Sequence, residues 1–150
     1  MVLEKKAGKS MTPLNSDQKQ SVIERVSFMQ VELSDLAKYK NIDWPTYSNE
    51  RETRRNVERI IENIANSVID VCKITLAGET TEIPGTYQDI VLKLGEIKII
   101  SKDLVSQLAS LTKARNVLAH QYLDIKWDLI KDLVKQMPIF IPEFIKALNL

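Results

Sequence analysis

The feature that most restricts how this chain can fold is a run of apolar residues between positions 57 and 72. Val57, Ile60, Ile61, Ile64, Val68, Val71 and Cys72 recur at intervals of three and four. That spacing collects them on one side of an α-helix, whereas a strand would need alternate positions. A stripe this long must be covered by other elements, and the flanking sequence supplies them. Val22, Val26, Met29, Leu33 and Leu36 repeat the pattern upstream; Leu104, Leu108 and Leu111 repeat it downstream. Trp127, Ile130, Val134, Met137, Ile141, Phe144 and Leu148 form a last stripe. With four glycines in 150 residues, the chain reads as all-α: an up-and-down bundle of four to five helices in one domain spanning 16–150.

Residues 1–15 lack periodicity, contain Gly8 and Pro13, and read as a flexible N-terminal arm. Ser16 or Asp17 is placed to cap the first helix, which should end near Tyr39 or Lys40. The stretch 41–47, with Asp43-Trp44-Pro45, reads as a connection, because a proline pushes the residue before it out of helical geometry. Ser48 or Asn49 then caps the long second helix, with Glu50 and Glu52 favourably placed in its first turn and a stop near Leu76. Ile83-Pro84-Gly85 marks a turn, Thr86 caps a short helix through Leu94, and Gly95 stops it. A fourth helix is expected from about Lys98 and a last one from about Asp124. Pro138 and Pro142 predict a kink or a break in the latter.

The net charge of +1 gives no global field for nucleic acid, so any RNA or DNA contact needs a local patch. No apolar run is long enough to span a bilayer, and no apolar segment follows Glu4, Lys5, Lys6 and Lys9 as a secretory signal requires. The single cysteine, Cys72, excludes an intramolecular disulfide and fits a reducing, cytoplasmic compartment; on the apolar stripe it reads as inert core. One histidine and one cysteine are too few for an all-protein zinc site, and there is no Gly-rich phosphate loop. No metal or cofactor is expected.

Local chemistry and helical pattern conflict in one place. The stripe through Leu104, Leu108 and Leu111 continues to Arg115, Leu118 and Tyr122, and His120 lies between the last two. A guanidinium on an apolar face is costly unless it is paired or faces a wet cleft or a partner. On a straight helix Arg115 and His120 point roughly 140° apart, whereas Asn116 and His120 share a face. To act on one atom, Arg115 and His120 need a bend in the helix or a second copy of the chain. Histidine can move a proton near neutral pH, arginine matches phosphate oxygens, asparagine can orient a ribose hydroxyl or the imidazole, and tyrosine can stack on a base. Together these are parts for cleaving RNA without a metal. Spacing alone leaves the other use open: a hydrogen-bonded structural histidine, an arginine paired with a carboxylate and a core tyrosine.

The pattern Arg115, four residues, His120, one residue, Tyr122, with Asn116 after the arginine, resembles the signature of the HEPN superfamily. More narrowly it is similar to the HepT-type toxins of HEPN–MNT toxin–antitoxin systems. The helix containing Glu58 to Asp70, the Pro84-Gly85-Thr86-Tyr87 turn and the Leu94-Gly95 stop follow in the order seen there, over roughly residues 17–148. The resemblance implies a homodimer with the two signatures meeting in a cleft, and metal-independent endoribonuclease activity in a type VII-like system. It implies Arg115 as the phosphate-binding cation, His120 as general acid or base and Asn116 in support. It also implies a small nucleotidyltransferase antitoxin, which in related systems adds AMP to the tyrosine of the signature, here Tyr122. The alternative is a non-catalytic nucleotide- or RNA-binding helical dimer.

Arg54, three residues before Val57 and so toward the buried side, and Glu58 are candidates to support the site. Glu58 or Asp70 is a candidate partner for Arg115, and spacing does not choose between them. Arg51, Arg55 and Arg59 recur every four residues and could track an RNA backbone. Interleaved Glu50, Glu52, Glu58 and Glu62 favour a solvated face with intrahelical ion pairs. Lys98, Lys102 and Lys113 either line a path to the signature or are soluble surface, and Trp44 and Trp127 read as packing residues. The apolar tail from Ile139 to Leu148 reads as core or as a dimer or antitoxin surface.

Overall fold

A computed structural model describes residues 14–79, 82–120 and 127–150. Among them are six α-helices and no strand: α1 Ser16–Leu36, α2 Trp44–Asn49, α3 Arg51–Ala77, α4 Tyr87–Glu96, α5 Lys102–His120 and α6 Trp127–Ala147. The expected N-terminal arm up to residue 13, the expected start of the last helix near Asp124, and Tyr122 lie outside the described residues.

The long helix α3 is the centre of the bundle. Every residue of its predicted stripe, from Val57 to Cys72, is buried. It packs against α1, α2, α4 and α5, while α6 closes the bundle over α1 and α5. Helices α1 and α3 run antiparallel: Asn63 Nδ2 donates to Glu32 Oε2 at 3.0 Å and Arg25 Nε to Asp70 Oδ2 at 3.2 Å. Helices α4 and α5 are also antiparallel, with Gly95 against Val105 at one end and Tyr87 against Arg115 at the other. Met29, Leu36, Ile90, Leu94, Leu108, Leu111, Phe140 and Phe144 fill the core from the surrounding helices.

The caps differ from the expected ones. Helix α1 is capped by Asn15, not Ser16 or Asp17: its side chain accepts from Gln18 N at 2.8 Å, and Gln18 Oε1 accepts from Asn15 N at 3.0 Å. This reciprocal pair satisfies two backbone donors that the helix itself leaves free. The connection at 41–47 contains a short helix. Asp43 caps it, and Pro45 sits in its first turn, where the missing N–H is not needed. Bonding to Thr46 N–H holds the Asp43 carboxyl below its ordinary range. Glu50, not Ser48 or Asn49, is the extended residue before α3.

Gly95 does not end α4. The helix runs on to Glu96 and closes with Lys98 N–H on Gly95 O and Ile99 N–H on Leu94 O, both at 3.0 Å. Lys98 takes the left-handed conformation there, φ 63°. Gly95 is needed for a different reason: a methyl at that position would run into the Val105 side chain of α5. Helix α5 begins at Lys102 rather than Lys98, with Ser101 Oγ accepting from Leu104 N at 3.2 Å.

Helix α6 continues through Pro138 and Pro142, so the break allowed by the sequence does not occur. The two prolines are four apart and both exposed. Each removes a bond to a carbonyl one turn earlier, and on the outer face water can replace it. The inner face of the same segment, Met137, Phe140, Ile141, Phe144 and Leu148, is core, while Ile139 is 57% exposed.

Candidate functional site

Arg115 sits near the C-terminal end of α5, on the side defined by Leu104, Leu108 and Leu111. It is half-buried, and its backbone position would aim an apolar side chain into the core. The guanidinium instead reaches past the edge of the core, where α3 and α4 meet α5. Its Nε donates to Asn66 Oδ1 of α3 at 3.1 Å. Its central carbon lies over the Tyr87 ring of α4, 5.2 Å from the centroid. Lys73 of α3 approaches the same ring, with Nζ 5.4 Å from the centroid. Two cations thus share one aromatic ring, and among the described residues neither has a carboxylate within ion-pair distance.

Local sequence explains this meeting point. Asn66 and Lys73 are seven residues apart, two helical turns, so they lie on one stripe of α3, flanking the buried face. Arg59 is seven residues before Asn66 and continues the stripe. Tyr87 is the first residue of α4, held there by Thr86, whose side chain accepts from Asp89 N at 3.2 Å. A guanidinium hydrogen-bonded at Nε and lying over a ring keeps its terminal Nη donors available. That arrangement offsets partial burial without neutralising the charge.

Asn116 and His120 are both exposed, one turn apart on α5. Helix α5 is continuous from Lys102 through His120, so no break turns the imidazole toward Arg115. Tyr122 lies outside the described residues.

Glu58 and Asp70 do not serve as partners of Arg115. Glu58 accepts from the Tyr47 hydroxyl, and Asp70 pairs with Arg25, whose Nη1 also donates to Ser21. Arg54 is half-buried near the same phenol, where its charge acts against the rise in the Tyr47 pKa. Glu58 lies eight residues before Asn66, about 12 Å along α3. The partners found for Arg115, namely Asn66 and Tyr87, were not singled out as site residues from the sequence. Tyr87 was visible in the family-like turn, but only the bundle topology joins that turn to the end of α5. Asn66 carried a weaker signal, a polar residue in register with Arg59 and Lys73.

Comparison with known proteins agrees with this architecture. A family model described as "Ribonuclease HepT-like" matches residues 29–148. A relative from Aphanizomenon flos-aquae (strain 2012/KM1/D3), named tRNA nuclease HepT, is 26% identical over 113 residues, covering 73% of this chain and 77% of the relative. The solved structure of YutE from Bacillus subtilis, a cytosolic protein of unknown function, superimposes with a TM-score of 0.73 at 18% identity, over 87% of each chain. At that identity the last likeness concerns the fold. The family match covers most of the helical domain, including Asn66, Tyr87 and the Arg115–His120 segment, and the chain belongs to the HepT-like ribonucleases of the HEPN superfamily.

Proposed function

We propose that two copies of this chain form a metal-independent endoribonuclease toxin with its cleft between them, each contributing Arg115, Asn116 and His120. The observation that carries this reading is Arg115: a guanidinium at the end of an apolar stripe, held by Asn66 and Tyr87 with no carboxylate among the described residues paired to it. His120 acts as base toward a ribose 2′-OH. The 2′-oxygen attacks the adjacent phosphorus, the bond to the 5′-oxygen breaks, and a protonated group returns the proton to that oxygen. Arg115 stabilises the negative charge that builds on the phosphoryl oxygens. Asn116, one turn before His120, orients the imidazole or the ribose.

The continuity of α5 supports a two-copy site. Arg115 and His120 point roughly 140° apart on an unbroken helix. A second protomer would let the arginine of one chain and the histidine of the other face one phosphate. The relative named as a tRNA nuclease makes tRNA the first substrate to try. A small nucleotidyltransferase of the MNT type would act as antitoxin, transferring AMP to Tyr122 and placing bulky anionic charge where RNA must enter. Both proteins would work in the cytoplasm; no helix among the described residues is long and apolar enough to cross a membrane.

Purified protein incubated with tRNA and with total RNA, with and without EDTA, tests the reading. Cleavage insensitive to EDTA, with 2′,3′-cyclic phosphate ends and loss in His120→Ala, is expected. Binding without product from any RNA would favour the non-catalytic alternative. Wild type and His120→Ala equally inert in cleavage and in cell growth would overturn the toxin reading. A monomer that cleaves at full rate would overturn the shared cleft.

A further inference from the structure

Lys73 and Arg115 approach the same tyrosine ring. Lys73 is exposed, on the polar flank of α3, and its Nζ lies 5.4 Å from the Tyr87 centroid. Arg115 lies 5.2 Å from the same centroid. Two like charges around one ring repel each other, and the tyrosine offsets only part of that. No carboxylate among the described residues lies within ion-pair distance of either. A site that concentrates positive charge with no carboxylate paired to it among the described residues fits a polyanion. The separation of the two cations is at most the two ring distances laid end to end. Along one nucleic-acid strand a phosphate recurs about every 3.4 Å of duplex axis, so neighbouring phosphates fall within that upper limit.

We propose that Lys73 is a second phosphate-binding residue of the site, holding the RNA backbone beside the phosphate at Arg115, with Tyr87 as the platform common to both cations. This rests on the ribonuclease reading above and assigns Lys73 a part in holding substrate. Tyr87 is a positioning residue: its ring face, not its hydroxyl, aligns the guanidinium. Arg59, on the same stripe of α3, lies on the line along which the strand would continue.

The test compares wild type with Lys73→Met, Lys73→Arg, Tyr87→Phe and Tyr87→Leu. Lys73→Met should raise KM for RNA about tenfold and change kcat less than about threefold, since a contact present before and during reaction acts on binding. It should also flatten the dependence of log affinity on log salt by roughly one phosphate contact, a readout that a merely structural lysine would not move. Lys73→Arg should restore both. Tyr87→Leu, which removes the ring, should lower kcat, and Tyr87→Phe, which keeps the ring face but weakens its pull on the cations, should lower it less. The same salt series with a 2′-O-methyl RNA, which binds but is not cleaved, reads the lysine even if the wild type shows no turnover. A wild type that cleaves, with unchanged KM and salt slope in Lys73→Met, overturns the role of Lys73 and leaves the nuclease reading standing. A wild type that never cleaves overturns the nuclease reading, and the 2′-O-methyl slopes then decide Lys73 alone. Unchanged RNA slopes with weaker binding of a nucleotidyltransferase partner would reassign the lysine to a protein contact and overturn the proposal.

Discussion

Tyr47 and Tyr87 both pack beside α3, and both have an arginine close by, yet the two regions use the same residue types in opposite ways. At Tyr47 everything is closed. The side chain is 1% exposed, its hydroxyl donates to Glu58, and its ring lies 4.9 Å from that of Trp127. Trp44 extends the cluster at 5.9 Å from Trp127. Burial first, then the bond to Glu58 and its charge, push the phenol above its ordinary 10.0. At Tyr87 the ring face meets two cations, and one of them is held by a neutral amide rather than a carboxylate. The first arrangement fastens α2 and α6 to α3; the second gathers charge at the junction of α3, α4 and α5 that no carboxylate among the described residues pairs with. A structural cluster finds all its partners inside the fold, whereas the proposed site would leave some of them to the ligand.

Arg115→Ala should sharpen that contrast most. Removal of one preorganised cation at a developing charge typically lowers the rate by about 10²–10³. Folding stability should move little, because the lost hydrogen bond is to an exposed amide. Cleavage rates and thermal melts on the same sample check both. A large loss of stability with unchanged cleavage would make Arg115 a structural residue like Tyr47 and erase the distinction.

Tyr47→Phe should do the reverse. It leaves Glu58 without its donor and should cost about 1–3 kcal/mol of stability, with cleavage per folded molecule unchanged. The raised pKa gives a second readout. Because the fold favours the protonated phenol, its contribution is complete below the ordinary 10.0 and is lost as pH rises beyond that. Wild-type stability should therefore fall more steeply than that of Tyr47→Phe in denaturant titrations above pH 10. Parallel curves would show that the phenol is not held in this way.

These two regions were not equally legible in the sequence. The apolar stripe of α3 is a periodic signal repeated over many residues, and the core followed from it: Val57, Ile60, Ile61, Ile64, Val68, Val71 and Cys72 are all buried. The five longer helices required only that short polar breaks be placed; the short helix Trp44–Asn49 falls where a connection is expected, the α4–α5 break is displaced, and Asn15 and Glu50 replace their neighbours as caps. Arg115 stood out because a charge occupied an apolar position. Its partners did not, because a contact between residues 49 apart depends on how α5 lies against α3. Nor could composition show that Glu58 belongs to Tyr47: an acidic residue one turn from Arg54 looks equally ready for any cation. Periodicity reports which face is buried, and it is silent on which polar groups meet across the faces.

Gly95→Ala tests what places the open region. The added methyl would meet the Val105 side chain, so either that side chain turns against its neighbours or α4 shifts away from α5. Overpacking of this kind costs about 1–3 kcal/mol. Tyr87 and Arg115 stand at the other end of the same helix pair, and their alignment should loosen with it. Cleavage should fall along with stability, whereas the Tyr47 cluster should keep its packing. Adding Val105→Ala should return part of both losses. If the double variant is no better than the single one, the close approach of α4 and α5 is not what sets the ring beneath Arg115.

Lys98→Gly carries the smallest expected effect and bears on the far end of α4. Lys98 closes that helix in the left-handed conformation, φ 63°, which costs a side-chain-bearing residue about 1–2 kcal/mol. Glycine adopts it without that strain but gives the unfolded chain more freedom, which offsets roughly 0.5–1 kcal/mol. The net gain should be about 0.5–1 kcal/mol, with the bonds from Ile99 N–H to Leu94 O and from Lys98 N–H to Gly95 O retained. Thermal melts of Lys98→Gly, Lys98→Asn and Lys98→Val should rank in that order, because asparagine tolerates the conformation and a β-branched residue does not. Since the change leaves Gly95 against Val105, it should stabilise α4 without moving Tyr87 relative to Arg115. A higher melting temperature with unaltered kcat would show that the stability of this helix and the alignment at its first residue are separable; a drop in kcat would place the closing turn in the same rigid unit as the site.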